Sequence, residues 1–376
     1  MTLFGKKYMT PSNLEPYGAY VATGDLKAVD NGSLRMYSYT NRCVYKGNWN
    51  HWTRTARGII FERETGKLVL PVMPKAFNIN ERHETLLPYL PRMPFVVEEK
   101  VDGTLCHYLT YNGEQIIATK GSFDSIQIGE AWRILRVQCD LSALPDGITL
   151  AMEVIYPENR FDHSKGCLVV DYGDKRELVL LAAFDQESGY ELPSAAVDAI
   201  ATTCGFRRPL VFDCDLESTM DLCGGMDLSQ EGFVIRYANN YRVKIKGEAY
   251  LKMARLISRL SPLAVWEAMA GGELPDTFVM DYPEELRPEL EGIQANLFCH
   301  RTRIISEIEQ DADALPEQGD LSLRDHRKQV GLFLKDHSSA LSHPGAVFSR
   351  LLGNTHALEK YIRDTTRPTG NVFGDQ

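Results

Sequence analysis

The apolar pattern of this chain changes once, near residues 250–260, and that change limits the fold more than any other feature. Before it, short segments read as strands: Ala56–Phe61, Lys67–Pro71, Phe95–Glu99, Gln115–Thr119, Ile148–Tyr156, Glu177–Phe184, Gly232–Tyr237 and Tyr241–Lys246. Many are β-branched or aromatic and bounded by Gly, Asn, Asp or Pro. Asn112-Gly113 sits between two of them as a hairpin turn. Ile128–Val137 and Ser194–Cys204 read as helices. After the change, Leu286, Leu290, Ile293, Leu297, Ile304 and Ile308 recur at helical spacing, and Gln329–Leu334 and Ala346–Ile362 continue the pattern. The expected class is α+β: antiparallel sheets flanked by helices over residues 1–254, then an all-α domain over 255–376.

Composition narrows the class of partner. A chain of 376 residues suits two or three domains, and 44% hydrophobic with 24% charged residues is ordinary for a soluble protein. No run of 18 apolar residues predicts a membrane span, and the opening MTLFGKKYMTPSNLEPYG lacks a signal-peptide core, so a cytoplasmic location is expected (the host's cytoplasm, were the chain phage-encoded). Eight cysteines occur without C-x-x-C spacing, which argues against zinc and for reduced, mostly buried thiols. The net charge of −10 argues against a general nucleic-acid binder unless the cations are concentrated in one groove.

Four segments supply candidate chemistry. Phe95–Thr104 carries Lys100 at the end of an apolar strand, followed by Asp102-Gly103. A lysine beside a glycine turn can be held rigidly at a pocket floor, and its amine becomes a nucleophile once cations or desolvation depress its pKa. Alone, the K-x-D-G run reads more readily as a surface lysine before a turn. In Tyr241–Lys246 alternation puts Val243 and Ile245 on one face and Arg242, Lys244 and Lys246 on the other. Three cations on one face call for an anion, phosphate being the natural one, although an edge strand protected by lysines fits equally. Glu231 opens the strand upstream, where it suits either Mg²⁺ or a cross-strand lysine. Glu153 interrupts an otherwise apolar strand, a costly position without a partner, so a ribose hydroxyl, a metal or a salt bridge is expected there.

Further cations precede and follow: Arg54 and Arg57 before an apolar strand, Lys75 in Pro74–Asn80, and Lys120 in Ala118–Ser122. Each alone is an ordinary surface cation. Asn48–Trp52 has the composition of a base-stacking surface, and tryptophans equally suit a core.

Taken in order, Lys100–Gly103, Glu153, Glu231–Arg236 and Lys244–Lys246 resemble the pattern of covalent nucleotidyltransferases, the polynucleotide ligases and mRNA capping enzymes. R-G-I-I-F-E at 57–62, P-K-A-F-N-I-N-E at 74–81, E-V-I-Y-P-E-N-R at 153–160 and Leu180–Tyr190 are similar to the bacteriophage RNA ligase 1 branch, over residues 30–255. The resemblance implies a nucleotidyltransferase (ATP-grasp-like ligase) domain and joining of 5′-phosphate and 3′-hydroxyl RNA ends by way of lysyl-AMP. It implies Lys100 as nucleophile, Lys244 and Lys246 on the α-phosphate, and Arg57 and Lys75 on ATP phosphates. It further implies Glu153 on ribose, Glu231 on Mg²⁺ or Mn²⁺ through water, and Lys120 with Arg54 on phosphate or RNA. The positive charge of Lys244 and Lys246 is expected to depress the pKa of Lys100. Arg236 and Phe184 depart from the branch's usual residues and bear on the adenine pocket.

The resemblance also implies a monomer acting on RNA, with nicked tRNA the substrate expected of such a helical tail. A DNA ligase or capping guanylyltransferase would carry an OB fold after Lys246, which the helical pattern opposes. A non-enzymatic RNA-binding module is opposed by the intact ordered set.

Overall fold

A computed structural model describes residues 14–159, 168–258, 260–271, 282, 287–315, 317, 322–339 and 341–368. Residues 1–13, and Arg160, Cys167 and Leu286 of the sequence argument, lie outside these. The chain divides into two compact units, residues 1–253 and 254–376.

The first unit holds every described strand. In chain order these are β1 (Leu26–Asn31), β2 (Leu34–Tyr39), β3 (Arg57–Glu62), β4 (Leu68–Leu70), β5 (Phe77–Asn78), β6 (Phe95–Glu99), β7 (Thr104–Tyr111), β8 (Glu114–Thr119), β9 (Ile148–Ile155), β10 (Glu177–Asp185), β11 (Val211–Phe212), β12 (Gly232–Tyr237) and β13 (Arg242–Lys246). They form three sheets, ordered β1-β2-β3-β4, β10-β9-β7-β8 and β11-β6-β12-β13-β5. All pairings are antiparallel except β13 with β5. The α+β expectation holds. The turn between β7 and β8 is Asn112-Gly113, both with positive φ, as the hairpin required.

Each sheet buries one apolar layer. Helices Ile126–Gln138 and Ser194–Cys204 cover the second sheet through Ile128, Ile134, Leu135, Val197 and Ile200. The first sheet packs Met36, Ile59, Phe61 and Leu70 around Tyr17 of the helix Glu15–Ala22. The third packs Val97, Phe233, Ile235 and Val243 against Cys223 of the helix Leu216–Gly224. The seven described cysteines are free, and four of them are buried.

The second unit is helical over its described residues. Pro262–Ala270, Arg287–Asp313, Leu323–Asp336, Pro344–Leu351 and Thr355–Thr365 form helices, with Ile304, Ile308, Val330, Leu334, Val347 and Ile362 in the core. The stretch Ala346–Ile362, read as one helix, is two. Gly353 adopts left-handed φ +68° and ends the first, and Asn354 caps the second by accepting from the Ala357 N–H at 3.1 Å. No described strand follows Lys246, so the described residues hold no OB fold.

Candidate active site

Backbone packing fixes Lys100. It follows β6 directly, and its N–H donates to the Gly232 carbonyl at 2.9 Å, joining the end of β6 to the start of β12. Asp102 is buried and anchors the turn: its carboxylate accepts from the Val169 and Val170 N–H groups (2.8 and 3.0 Å) and from the Tyr250 hydroxyl (3.0 Å). Gly103 faces Glu153 so closely that an added Cβ would lie 2.7 Å from Glu153 Cγ. Gly232 has φ +145°, and a Cβ there would meet the Ile245 carbonyl oxygen at 2.1 Å. The K-V-D-G and E-G spacings are thus steric requirements of the site.

One cavity of about 220 Å³ collects most of the candidate residues. Lys100, Lys244, Lys246, Arg57, Lys75, Glu153 and Glu231 all line it, together with Tyr39, Arg242, Glu98 and Glu99. Strand alternation delivers the cations: Arg242, Lys244 and Lys246 face the cavity, whereas Val243 packs in the core behind them. Met73, Val101, Leu105, Leu181, Pro209 and Val234 supply an apolar wall suited to a base. Arg54 and Lys120 do not line the cavity. The Arg54 guanidinium lies 3.8 Å from Glu84 and 5.2 Å from the Phe77 ring centroid; Lys120 Nζ lies 3.9 Å from the Tyr39 ring centroid.

The charges divide into satisfied and waiting groups. Lys100 Nζ donates to Glu231 Oε2 at 2.7 Å and to the Val101 carbonyl at 2.8 Å; Lys246 Nζ sits 2.8 Å from Glu231 Oε1. Arg242 is paired with Glu191, Arg236 with Glu98 and Arg207 with Glu99. Among the described residues, Arg57, Lys75 and Lys244 have no carboxylate partner, and Glu153 has neither an ion-pair nor a hydrogen-bond partner. A buried, unpartnered carboxylate facing three unpartnered cations suits a ligand with both hydroxyls and phosphates.

The depressed lysine is not the expected one. Burial favours the neutral Lys100 amine, but Glu231 and Glu153 outweigh it and hold its pKa above the ordinary lysine value. Lys244 is the depressed one: burial, then the charges of Lys100, Lys246, Lys75 and Arg57, bring it to about 7. The cross-strand lysine pair read for Glu231 is present, to Lys246, and the same carboxylate also holds Lys100. Arg236 is likewise committed to Glu98, and Phe184 packs with Met73, Ala151 and Ala182 in the core instead of lining the cavity.

Glu153 carries a stability prediction. Burial first, then Glu231 and Asp102, opposed by Lys100 and Arg57, raise its pKa from 4.5 to about 7. Below pH 4.5 both folded and unfolded chains hold the proton. Above that the unfolded chain loses it first, so stability falls as pH rises toward 7, by about 3 kcal/mol in all. Glu153→Gln cannot titrate, so its stability relative to the parent should rise by about that amount between pH 4.5 and 7.5. Denaturant titrations at the two pH values measure it; a constant difference refutes it.

A divalent ion does not find a protein cage here. Among the described residues no group of three or more His, Cys, Asp or Glu side chains is placed to hold one, and both Glu231 oxygens already carry a lysine. Mg²⁺ or Mn²⁺ would reach Glu231 only through water, or after a lysine had left.

Comparison with known proteins now bears on the cavity. A family model described as RNA ligase matches residues 55–250, just over half the chain. The chain belongs to this RNA ligase family. The matched residues carry eight of the nine candidate side chains, all but Arg54. A protein of Thermovibrio ammonificans, named only provisionally as an RNA ligase, is 30% identical over 161 residues, 42% of this chain and 40% of that protein's own length. An archaeal ATP-dependent RNA ligase is 14% identical, covering 89% of this chain and 88% of its own, with TM-score 0.49. The Naegleria gruberi RNA ligase, in a mutant form solved with ATP and Mn, is 14% identical over 50% of this chain and 64% of its own, with TM-score 0.38. In this family member no described helix is long and apolar enough to cross a membrane.

The sequence reading gave no role to the polar lining residues Tyr39, Glu98 and Glu99. Tyr39 was invisible because a tyrosine in a half-buried strand carries no special signal. Its ring lies 3.9 Å from Lys120 Nζ and 5.5 Å from Lys75 Nζ. Asp102 and Arg242 were seen as motif members without roles.

Proposed function

We propose that this protein is an ATP-dependent RNA ligase that carries AMP on Lys100 and joins 5′-phosphate to 3′-hydroxyl RNA ends. The observation that supports this best is Lys100 in a cavity where Arg57, Lys75 and Lys244 lack carboxylate partners and Glu153 lacks any. Phosphates would satisfy the cations, and ribose hydroxyls would satisfy Glu153.

The residues act as follows. ATP enters the cavity; Mg²⁺ or Mn²⁺, which Glu231 would hold through water, would screen its phosphate charge. Arg57, Lys75 and Lys244 bind phosphates, and Lys246 exchanges Glu231 for the α-phosphate. Glu231 Oε2, already 2.7 Å from Lys100 Nζ, takes one ammonium proton. The freed amine attacks the α-phosphorus, the bond to pyrophosphate breaks, and Nζ passes its second proton to the departing pyrophosphate or to water as lysyl-AMP forms. AMP then passes to the RNA 5′-phosphate, and a 3′-hydroxyl displaces it to form the phosphodiester. All three steps are phosphoryl or nucleotidyl transfers, so positioning and charge neutralisation dominate.

In this reading residues 1–254 perform adenylylation in a cytoplasmic monomer, and the helical residues 255–376 select the RNA, nicked tRNA being the expected substrate. A chain ending after residue 260 should keep lysyl-AMP formation and lose preference between tRNA halves and unstructured RNA ends. Unchanged preference in a ligation competition would remove that role.

A further inference from the structure

The acidic chain contains one long stretch without acid. From Asn31 to Phe61 there is no Asp or Glu, and five basic residues, in a protein of net charge −10. Part of this stretch, the helix Asn41–Lys46, lies beside the segment 82–93: a Cβ at Gly47 would be 3.4 Å from the Arg82 guanidinium. The Arg54 guanidinium, 3.8 Å from Glu84, ties the two segments together a second time.

Both segments carry exposed large apolar side chains. Tyr45 is 87% exposed, Tyr89 58%, Val44 44% and Leu87 41%. His83 is exposed and stacks on Tyr89 with centroids 4.3 Å apart and planes 29° from parallel. The cations nearby are Arg42, Lys46, Arg54, Arg82 and Arg92; within residues 39–55 and 82–93 the one carboxylate is Glu84, already beside Arg54. Arg42 also reaches Asp25, at 3.4 Å.

Packed rings link this junction to the nucleotide cavity. Tyr39 and Lys75 line the cavity. Lys75 Nζ lies 5.0 Å from the Trp49 ring centroid and 5.2 Å from that of the buried Phe77, and the Arg82 guanidinium lies 5.5 Å from the Phe77 centroid. Trp49 and Trp52 themselves are packed edge-on against Phe77, Tyr39 and Tyr17, so the aromatic run 48–52 is structural and the exposed rings stand at 45, 83 and 89.

We propose that the face formed by Tyr45, Lys46, Arg82, His83 and Tyr89 holds the single-stranded 5′-phosphorylated RNA end, its bases stacked on the rings and its terminal phosphate led along Lys75 to the AMP. The inference rests on the ligase reading above. Stacking rings with interleaved cations, and almost no carboxylates, fit a flexible polyanion with flat bases. A second protein copy, with net charge −10, would have to bring a matching acidic face.

The test uses the full-length protein and a 5′-phosphorylated oligoribonucleotide. Tyr45→Ala/Tyr89→Ala should form lysyl-AMP at the parental rate, while the KM for RNA in the AMP-transfer step rises by about tenfold or more and kcat is kept. Tyr45→Phe/Tyr89→Phe keeps the rings and should restore the parental KM. An unchanged KM in the alanine variant overturns the proposal, as does a variant whose only change is loss of a concentration-dependent dimer. Absence of lysyl-AMP in the parent protein would instead reject the ligase reading.

Discussion

Incubation with α-labelled ATP is expected to give a labelled protein band that Lys100→Ala abolishes completely. The fold should survive the change, because Glu231 keeps its contact with Lys246 at 2.8 Å when Lys100 is removed. A second arm separates lost chemistry from lost structure. RNA that already carries AMP on its 5′ end no longer needs the lysine nucleophile, so Lys100→Ala should still join it to a 3′-hydroxyl end. Lys244 gives the experiment its edge, since an amine with a pKa of about 7 is the more readily deprotonated of the two. A label that persists in Lys100→Ala and vanishes in Lys244→Ala would transfer the nucleophile's role.

Lys244→Met should slow lysyl-AMP formation by about 10²–10³-fold, the usual effect of removing one donor from a developing phosphoryl charge. It should also erase a proton signature. At pH 8 the Lys244 amine of the empty protein is mostly neutral, its pKa being about 7. A bound phosphate favours the ammonium and raises that pKa, so ATP binding at pH 8 takes up about one proton. Affinity should therefore weaken as pH rises from 7 to 9. Glu153, near 7 and already ionised at pH 8, does not obscure this. Calorimetry in two buffers of different ionisation enthalpy counts the proton. Equal uptake by the parent and Lys244→Met would refute the assignment.

Much of the site was legible because its residues obey local rules. Alternation along Tyr241–Lys246 alone put three cations on one face, and the cavity lies on that face. Glu153 stood out as a carboxylate in an apolar strand, and among the described carboxylates lining the cavity it is the one with neither an ion-pair nor a hydrogen-bond partner. What remained hidden depends on distant pairing. The partner of Arg242 is Glu191, that of Arg236 is Glu98, and Glu231 reaches Lys100 in addition to the cross-strand Lys246 that alternation had offered it. No local pattern states which carboxylate reaches which cation, and the protonation of Lys100 follows from that choice. Two misreadings had visible signals. Asn31-Gly32 marks the turn between β1 and β2, where neither strand was expected, and Gly353-Asn354 marks the break in the last helical stretch.

The two oxygens of Glu231 occupy the lysines much as two oxygens of a phosphate would. The empty cavity thus contains an internal competitor for its own ligand. Two ammonium groups that would otherwise spread apart by repulsion are held together on one carboxylate, and in the proposed reaction that would leave little rearrangement for when nucleotide arrives. The same competition weakens the grip on substrate and product alike. In the proposed reaction, an anion that has finished reacting would meet a carboxylate ready to take back its lysines, which would favour its departure and reset the site for the next turnover.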